Sequence, residues 1–374
     1  VSSDDARDRV RDQASGVAAG WSPPDAPPSW ALTAELFRAI AEDDVLLDLA
    51  AALPPDRLPP LLLSAAVRDL VAREQPAPLA GYFPTPGSGQ PVLDEGFRPA
   101  LAAFAREHAE ELARLCAAHR YQMNEVGRSA DVLAVLGDIA PDRPIALVDL
   151  GTGAGLGLQL DRYRYRYAAD GRTRTVGDPD SPFELHCAVR AGDPPVPATV
   201  PTIAARVGID VEPLDLGVPE IRDWLAACVP PETGAVDRFA AASAVVRAHP
   251  APLVRGDLVE TVERVCADLP SEALLVLVDT YVHVFLPDDD RARFAALLPR
   301  LGRDLEWISV DPLVPLGPDG RDSVQGLPVP DRAVEAYRAG VTGVVGRLSV
   351  RDGAVSGRVL GLAHPGAAWL EWLA

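Results

Sequence analysis

No lysine occurs among the 374 residues, so all 35 basic side chains are arginine. That absence excludes Schiff-base catalysis, a pyridoxal-phosphate site and the lysine of a phosphate-gripping P-loop. A protein-kinase core, which needs a lysine on its third strand, is excluded with them. Methionine occurs once, as Met123. The four cysteines (Cys116, Cys187, Cys228 and Cys266) lie far apart, and no two form a CxxC pair. Neither a zinc ribbon nor a thioredoxin-like site is therefore encoded, and each thiol is expected to be a small buried hydrophobe. No signal-peptide pattern and no apolar run long enough to span a bilayer is found. With the dispersed cysteines, this predicts a cytoplasmic protein with no membrane partner.

What is present is acidic and apolar. The formal charge is −19 and hydrophobic residues make up 48% of the chain, ample for a buried core. An acidic chain does not draw its affinity from neutralising phosphates, so no nucleic-acid partner is expected. The surface charge is read as a solubility device. Abundant Ala, Gly, Pro and Val beside the arginine bias matches GC-rich coding and carries no mechanistic information.

At ~150 residues per domain, the length suggests one large or two ordinary domains. Residues 1–138 read as mainly helical. Apolar residues recur at helical spacing over Ala31 to Ala52, Leu61 to Val71 and Leu101 to Cys116. The stretch Pro76 to Pro91 is a Pro- and Gly-rich loop. Residues 139–374 change character. Ile145 to Leu150 is a continuous apolar run, as expected of a strand buried on both faces of a parallel sheet. Val207 to Val211, Leu253 to Val254, Leu274 to Val278 and Leu305 to Val310 are further buried strands, separated by helical patterns. Such alternation predicts an α/β fold with a Rossmann-like, mostly parallel sheet. The 163–190 region reads as an inserted hairpin, with Asp170-Gly171 at a turn, and Val345 to Leu362 as a closing antiparallel hairpin.

The segment Asp149-Leu150-Gly151-Thr152-Gly153-Ala154-Gly155-Leu156-Gly157 carries the most chemistry. An acid ends a buried strand, and glycines at alternate positions let backbone approach a ligand. The turn is expected to lead into a helix whose N-terminus offers free N–H groups, at the carboxyl edge of the sheet. The dinucleotide fingerprint GxGxxG fails in every register, because its last position falls on Leu156, Leu158 or Leu160. An acid followed by GxGxG instead resembles the first motif of S-adenosylmethionine-dependent methyltransferases of the Rossmann-like class.

Later strand ends supply acids in a matching order. Asp210 closes the next strand and is the candidate for the ribose hydroxyls, with Asp215 as its competitor. Asp257 follows a short apolar strand and could approach an adenine amino group. Asp279, Tyr281 and His283 follow Leu274 to Val278 at the catalytic edge. His283 could be a general base, a role in which histidine is the commonest side chain, or a core histidine. Asn124, Glu125 and Arg128 could face cofactor or substrate, or form a capping network. Arg162 and Tyr163, within the Asp161 to Tyr167 run, could stack on a substrate; a half-buried hairpin is the plainer reading. Asp288 to Asp290 reads as an acidic helix start. No metal-ligand spacing and no GxSxG elbow is present, so no metal is expected.

These pieces together resemble an uncharacterised, mostly actinobacterial family known as a domain of unknown function, with a core similar to class I methyltransferases. The resemblance rests on Asn124 to Ser129, Asp149 to Leu158, Asp161 to Tyr165, Arg206 to Asp215, Gly256-Asp257, His364-Pro365 and Trp369 to Trp372. It runs from near Trp30 to the end. Where that family's loop has a glutamate and then Gly-x-Ser-Ala-Gly-Leu-Asn, this chain has Asp149, Thr152 and Gly157. The family's terminal His-Pro-His-Gly is reduced to His364-Pro365-Gly366.

The resemblance implies an S-adenosylmethionine-dependent methyltransferase acting on a small molecule at oxygen or nitrogen, with residues 1–138 as a lid or substrate platform. Asp149, Gly151, Thr152, Gly153, Gly155, Asp210, Asp257 and Asp279 would hold the cofactor. Asn124, Arg128, Arg162 and Tyr163 would hold substrate, and His283, Tyr281 or Glu125 would remove a proton. The alternative is a degenerate methyltransferase-fold protein that binds S-adenosylmethionine or another nucleoside for sensing or scaffolding.

Overall fold

A computed structural model describes residues 3–24, 26–317, 319–340 and 342–374. The chain divides into two compact units, Val1–Asn124 with Gly217–Ala240, and Glu125–Leu216 with Ala241–Ala374. The division therefore falls ahead of residue 138, and a later segment returns to the first unit.

The first unit is helical: α1 (Ser3–Gly20), α2 (Ala31–Glu42), α3 (Asp44–Ala51), α4 (Pro59–Glu74), α5 (Phe97–Glu107) and α6 (Ala109–Ala118). The expected helix over 31–52 is split because Asp43 caps α3, accepting from the amides of Val45 (3.0 Å) and Leu46 (3.2 Å). The returning segment carries α8 (Pro219–Cys228) and the start of α9 (Thr233–Ala248). Its attachment is specific. Arg68 donates to the carbonyls of Ala227 (2.7 Å) and Ala226 (3.3 Å) at the end of α8, satisfying orphan helix carbonyls with a charge of the favourable sign. Trp224 donates to the carbonyl of Arg120 at 2.9 Å and stacks on His119.

The second unit is built on a sheet whose described strands are β1 (Ile145–Leu150), β2 (Arg164–Ala169), β3 (Arg172–Gly177), β4 (Glu184–Ala191), β5 (Ile203–Asp210), β6 (Leu253–Arg255), β7 (Leu274–Thr280), β8 (Leu305–Asp311), β9 (Gly343–Arg351), β10 (Ala354–Ala363) and β11 (Trp369–Trp372). Their order is β3-β2-β4-β11-β10-β9-β8-β7-β1-β5-β6. The block β6-β5-β1-β7-β8 is parallel throughout. Counted in chain order, its strands lie 3-2-1-4-5, the doubly wound arrangement.

The 163–190 region is not a separate excursion. It pairs β2 with β3 and also β2 with β4, and the terminal strand β11 bridges β4 to β10. A tail of four residues thus joins two portions of one sheet, and its short apolar pattern gave no sign of this. Nor did the pattern reveal α12 (Asp331–Ala339).

Helices cover both faces. On one, α10 (Leu258–Ala267) and α11 (Asp288–Leu297) bury Val262, Val265, Phe294 and Leu297 against Val148, Leu150, Ile209, Leu277 and Trp307. All four cysteines are buried thiols. On the other face, Glu306 is wholly buried beneath α7 (Ser129–Ile139). Both its oxygens accept from Arg347 (2.9 and 3.0 Å), and it also accepts from Ser349 at 2.6 Å and from Arg351. Arg347 reaches on to Asp138 at the end of α7, at 2.7 Å.

Removing Glu306 leaves two guanidinium groups without their shared carboxylate. Glu306→Ala should cost about 3 kcal/mol in urea-denaturation experiments. Asp304→Ala, at the exposed 3.7 Å pair with Arg143, should cost no more than about 1 kcal/mol.

Candidate functional site

The glycine loop leaves the carboxyl end of β1 at the point where strand order reverses between β1 and β7. Gly151, Gly153 and Gly155 all have positive φ (64°, 54° and 78°), which favours glycine at each. Gly151 has a second reason: a Cβ there would sit 2.5 Å from Val282. The loop amides turn inward. Those of Gly151 and Thr152 donate to the Ile209 carbonyl (2.8 and 3.1 Å), that of Gly153 to Asp210 Oδ2 (2.8 Å), and that of Gly155 to the Thr152 carbonyl (2.9 Å).

The expected helix does not follow. Gly157–Arg162 forms a short 3-10 stretch, broken at Gln159 (φ −102°, ψ 18°). Arg206 holds it in this form by donating to the Leu158 carbonyl (2.7 Å) and to both oxygens of Asp161 (2.8 Å each). The Leu158 carbonyl is one that a continuing helix would need for its own ladder. The anion-binding helix N-terminus expected from the sequence is thus replaced by a self-satisfied turn.

Strand alternation then sorts the acids. Asp149 lies opposite Gly208, and Leu150 lies opposite both Ile209 and Asp279. Asp149 and Asp210 therefore share one face, while Asp279 points to the other with Trp307 and Ser309. Asp149 accepts from Thr152 Oγ1 at 2.7 Å. Burial, together with the charges of Asp210 and Asp279, pushes its carboxyl up to about 7 despite that hydrogen bond. Gly157 leaves room for it, since a Cβ there would meet Asp149 Oδ2 at 2.9 Å. Asp210 accepts from the Gly153 amide through Oδ2 and the Glu212 amide through Oδ1, both at 2.8 Å. Asp215 is exposed on the following loop, which folds back so that the Leu214 amide meets the Gly153 carbonyl at 3.0 Å. Asp257 is an exposed N-cap of α10, with Oδ1 accepting from Val259 and Glu260.

On the opposite face, Asp279, His283 and Asp311 form a cluster that sequence reading missed as a unit. Potential ligand atoms of all three lie within 4.8 Å of one another. His283 Nδ1 stands 3.2 Å from Asp279 Oδ2, at ion-pair distance but without hydrogen-bond alignment. The His283 ring is wholly buried against Phe294 and Trp307. Trp307 Nε1 donates to Asp279, and Ser309 Oγ to Asp279 Oδ2 (3.1 Å) and Asp311 Oδ2 (3.3 Å). Burial raises both carboxyls. For Asp279 this is outweighed by His283 and by hydrogen bonds, so it falls below its ordinary value, whereas Asp311, beside Asp279, is driven well above. Asp311 ends β8 as Asp149, Asp210 and Asp279 sit at the ends of theirs, and this was the available signal.

The remaining candidates are distributed more widely. Glu125 accepts from the Gly127 amide (2.9 Å) and caps a short turn. Arg128 donates to the Pro365 carbonyl (3.1 Å) and lies over the Tyr281 ring at 4.2 Å. Tyr281 combines φ of +60° with a buried hydroxyl that has no hydrogen-bond partner among the described residues. The fold therefore unites Arg128, Tyr281 and the His364-Pro365 turn. His364 Nδ1 accepts from the Gly366 amide, and burial with Arg190 and Arg128 nearby lowers its pKa to about 4. Tyr163, Tyr165 and Tyr167 are buried and donate to the carbonyls of Leu156, Leu160 and Ala130, which gives them framework contacts. Arg162 donates to Gln159 at 3.1 Å. Asn124, in the first unit, donates weakly to the Gln122 carbonyl at 3.4 Å.

Residues 7–372 match a family described as an uncharacterized protein conserved in bacteria (DUF2332). The chain belongs to this family. The match covers both units of DUF2332 architecture seen here, including the returning segment at 217–240. No curated protein matches the chain. No described helix of this DUF2332 member is long and apolar enough to cross a membrane.

Asp149 has a folded-state pKa above its ordinary 3.8, so the folded state holds this proton more tightly than the unfolded chain. Its contribution to stability is full at low pH and is lost as pH rises through about 7. Asp149→Asn should abolish that loss. Thermal melts should show the variant gaining on the wild type from about pH 4 to about pH 7, by on the order of 4 kcal/mol, then a constant difference.

Proposed function

We propose that this protein is an S-adenosylmethionine-dependent methyltransferase for a small-molecule acceptor, working in the cytoplasm. The observation that carries the reading is the pairing of the glycine loop with Asp210, whose carboxylate receives the Gly153 amide at 2.8 Å. The 3-2-1-4-5 order of the parallel block supports it, because ligands of such sheets bind at the carboxyl edge where the order reverses.

The chemistry of the loop favours a nucleoside over a dinucleotide. A pyrophosphate needs free amides or a helix N-terminus. Here the amides of residues 151, 152, 153 and 155 are used internally, and an α-helix does not follow. What the loop retains is carboxylate. A carboxylate has about four lone-pair positions, so Asp210 keeps acceptor capacity for two ribose hydroxyls after its two backbone contacts. Asp257 likewise has Oδ2 to offer. These acids and the uncharged loop suit a ligand that carries positive charge. S-adenosylmethionine, when bound, supplies a methyl group on a sulfonium.

Given an activated methyl donor, the chain need only orient the acceptor, exclude water and hold a proton. Arg128 and Tyr281 are the residues proposed to meet the acceptor. Asp149, titrating near 7, is better matched to proton exchange than His283, which is enclosed by Phe294 and Trp307.

A second reading, a nucleoside-binding protein without transferase activity, is favoured by one specific observation. His283 is wholly buried and Glu125 is engaged as a cap, so two of the three expected proton acceptors are held away from a substrate.

Calorimetry with S-adenosylmethionine and with its demethylated product tests both readings. Binding is expected for each ligand. Asp210→Ala should weaken it at least tenfold, about 1.4 kcal/mol, while Asp215→Ala leaves it unchanged. Absence of binding at millimolar ligand would overturn the cofactor assignment. Binding without turnover across a panel of amines and hydroxyl compounds would favour the second reading.

A further inference from the structure

We propose that Asp279, His283 and Asp311 form a binding site for a divalent first-row transition ion, on the face of the sheet opposite the glycine loop. The inference is independent of the cofactor reading. Three observations converge on it.

The first is spacing. Two ligand atoms each about 2.1 Å from one ion, at about 90–110°, stand about 3.0–3.4 Å apart. His283 Nδ1 and Asp279 Oδ2 are 3.2 Å apart, and Asp311 brings a carboxylate oxygen within 4.8 Å of both. The second is the unmet demand of His283. The residue is 0% exposed and neither ring nitrogen has a hydrogen-bond partner among the described residues. A buried imidazole nitrogen without a hydrogen bond is costly, and coordination at Nδ1, which now has only the misaligned contact with Asp279, would remove that cost.

The third is charge. Asp279 and Asp311 are 0% and 2% exposed and share the hydroxyl of Ser309. Among the described residues no arginine pairs with either. The nearby Arg291 donates instead to the carbonyls of His283 and Leu286 and to Asp288. A divalent ion would let the two adjoining carboxylates be ionised side by side.

The surroundings also have the form of a second coordination layer, in which ligating carboxylates are themselves hydrogen-bonded. Trp307 and Ser309 hold Asp279, and the Val284 amide approaches Asp311 Oδ1 at 3.4 Å. One imidazole with two carboxylates suits zinc, manganese or iron(II) better than a thiolate-seeking ion. The ligands come from the ends of β7 and β8 and the turn between β7 and α11, so the ion would clamp that turn. Val282, inside the turn, is the residue that a Cβ on Gly151 would strike.

The test uses the full chain. Buried ligands exchange slowly, so the protein is refolded from denaturant with chelator and then with cobalt(II), zinc(II) or manganese(II) alone. Expected are about one tightly held equivalent, a visible cobalt absorption band, and a melting temperature several degrees above that of the chelated protein. His283→Gln and Asp311→Asn should abolish the band, while Asp257→Asn should keep it. Where a variant does not fold, anomalous diffraction from wild-type crystals grown with zinc(II) decides, with a peak expected between Asp279 and Asp311. No retained metal and no thermal shift with any of the three ions would overturn the assignment. So would an anomalous peak elsewhere, or a band that survives in a folded His283→Gln protein.

Discussion

Side chains alternate across a β-strand, and here that period decides which acids can act together. Register places Leu150 beside both Ile209 and Asp279, so Asp149 and Asp210 face one way and Asp279 the other. Had β7 slipped by a single residue, Asp279 would join the glycine-loop acids, and Trp307, Ser309 and Asp311 would lose the carboxylate they surround. The register is held by Val148, Leu150, Leu275, Leu277, Leu305 and Trp307 in one core. The same hydrophobic contacts that stabilise the sheet thus partition its chemistry between two faces.

The glycine loop shows how a familiar pattern changes meaning with its surroundings. Alternating glycines permit a tight turn, but they do not decide what the freed amides will meet. In this protein they meet Ile209, Asp210 and Thr152. The loop is therefore a poor cradle for phosphate, and the charged groups packed against it are the buried carboxylates of Asp149 and Asp210. Arg206 adds to this by taking the Leu158 carbonyl and Asp161, which keeps the next segment from becoming a helix.

The missing lysines have a structural counterpart. Several arginines use their forked donors to collect backbone carbonyls that a single ammonium would serve less well. Arg303 alone reaches the carbonyls of Cys266, Leu269, Pro270 and Ala273. Arg68 does the same at the end of α8, and Arg347 joins β9 to Glu306 and to α7. Much of the basic side-chain inventory is thus committed to fastening the fold, and Arg128, over Tyr281, is the arginine most closely tied to the candidate chemistry.

The sequence by itself determined the class of fold and the position of its parallel strands. Ile145 to Leu150 is a strand with the same bounds, and β5, β6, β7 and β8 fall where apolar runs predict them, because strands of a parallel sheet covered on both faces are mostly apolar. It also identified the glycine loop and the acids Asp149, Asp210 and Asp279 near their strand ends, though not Asp311, since these are local patterns. Only the tertiary structure decided which acids share a face, that the 163–190 strands join the main sheet through β11, and that 217–240 belongs with the helical unit. It alone brought Asp311 to Asp279 and His283, and Arg128 to Tyr281. These outcomes depend on pairing and packing between residues distant in the chain, and no local periodicity encodes them.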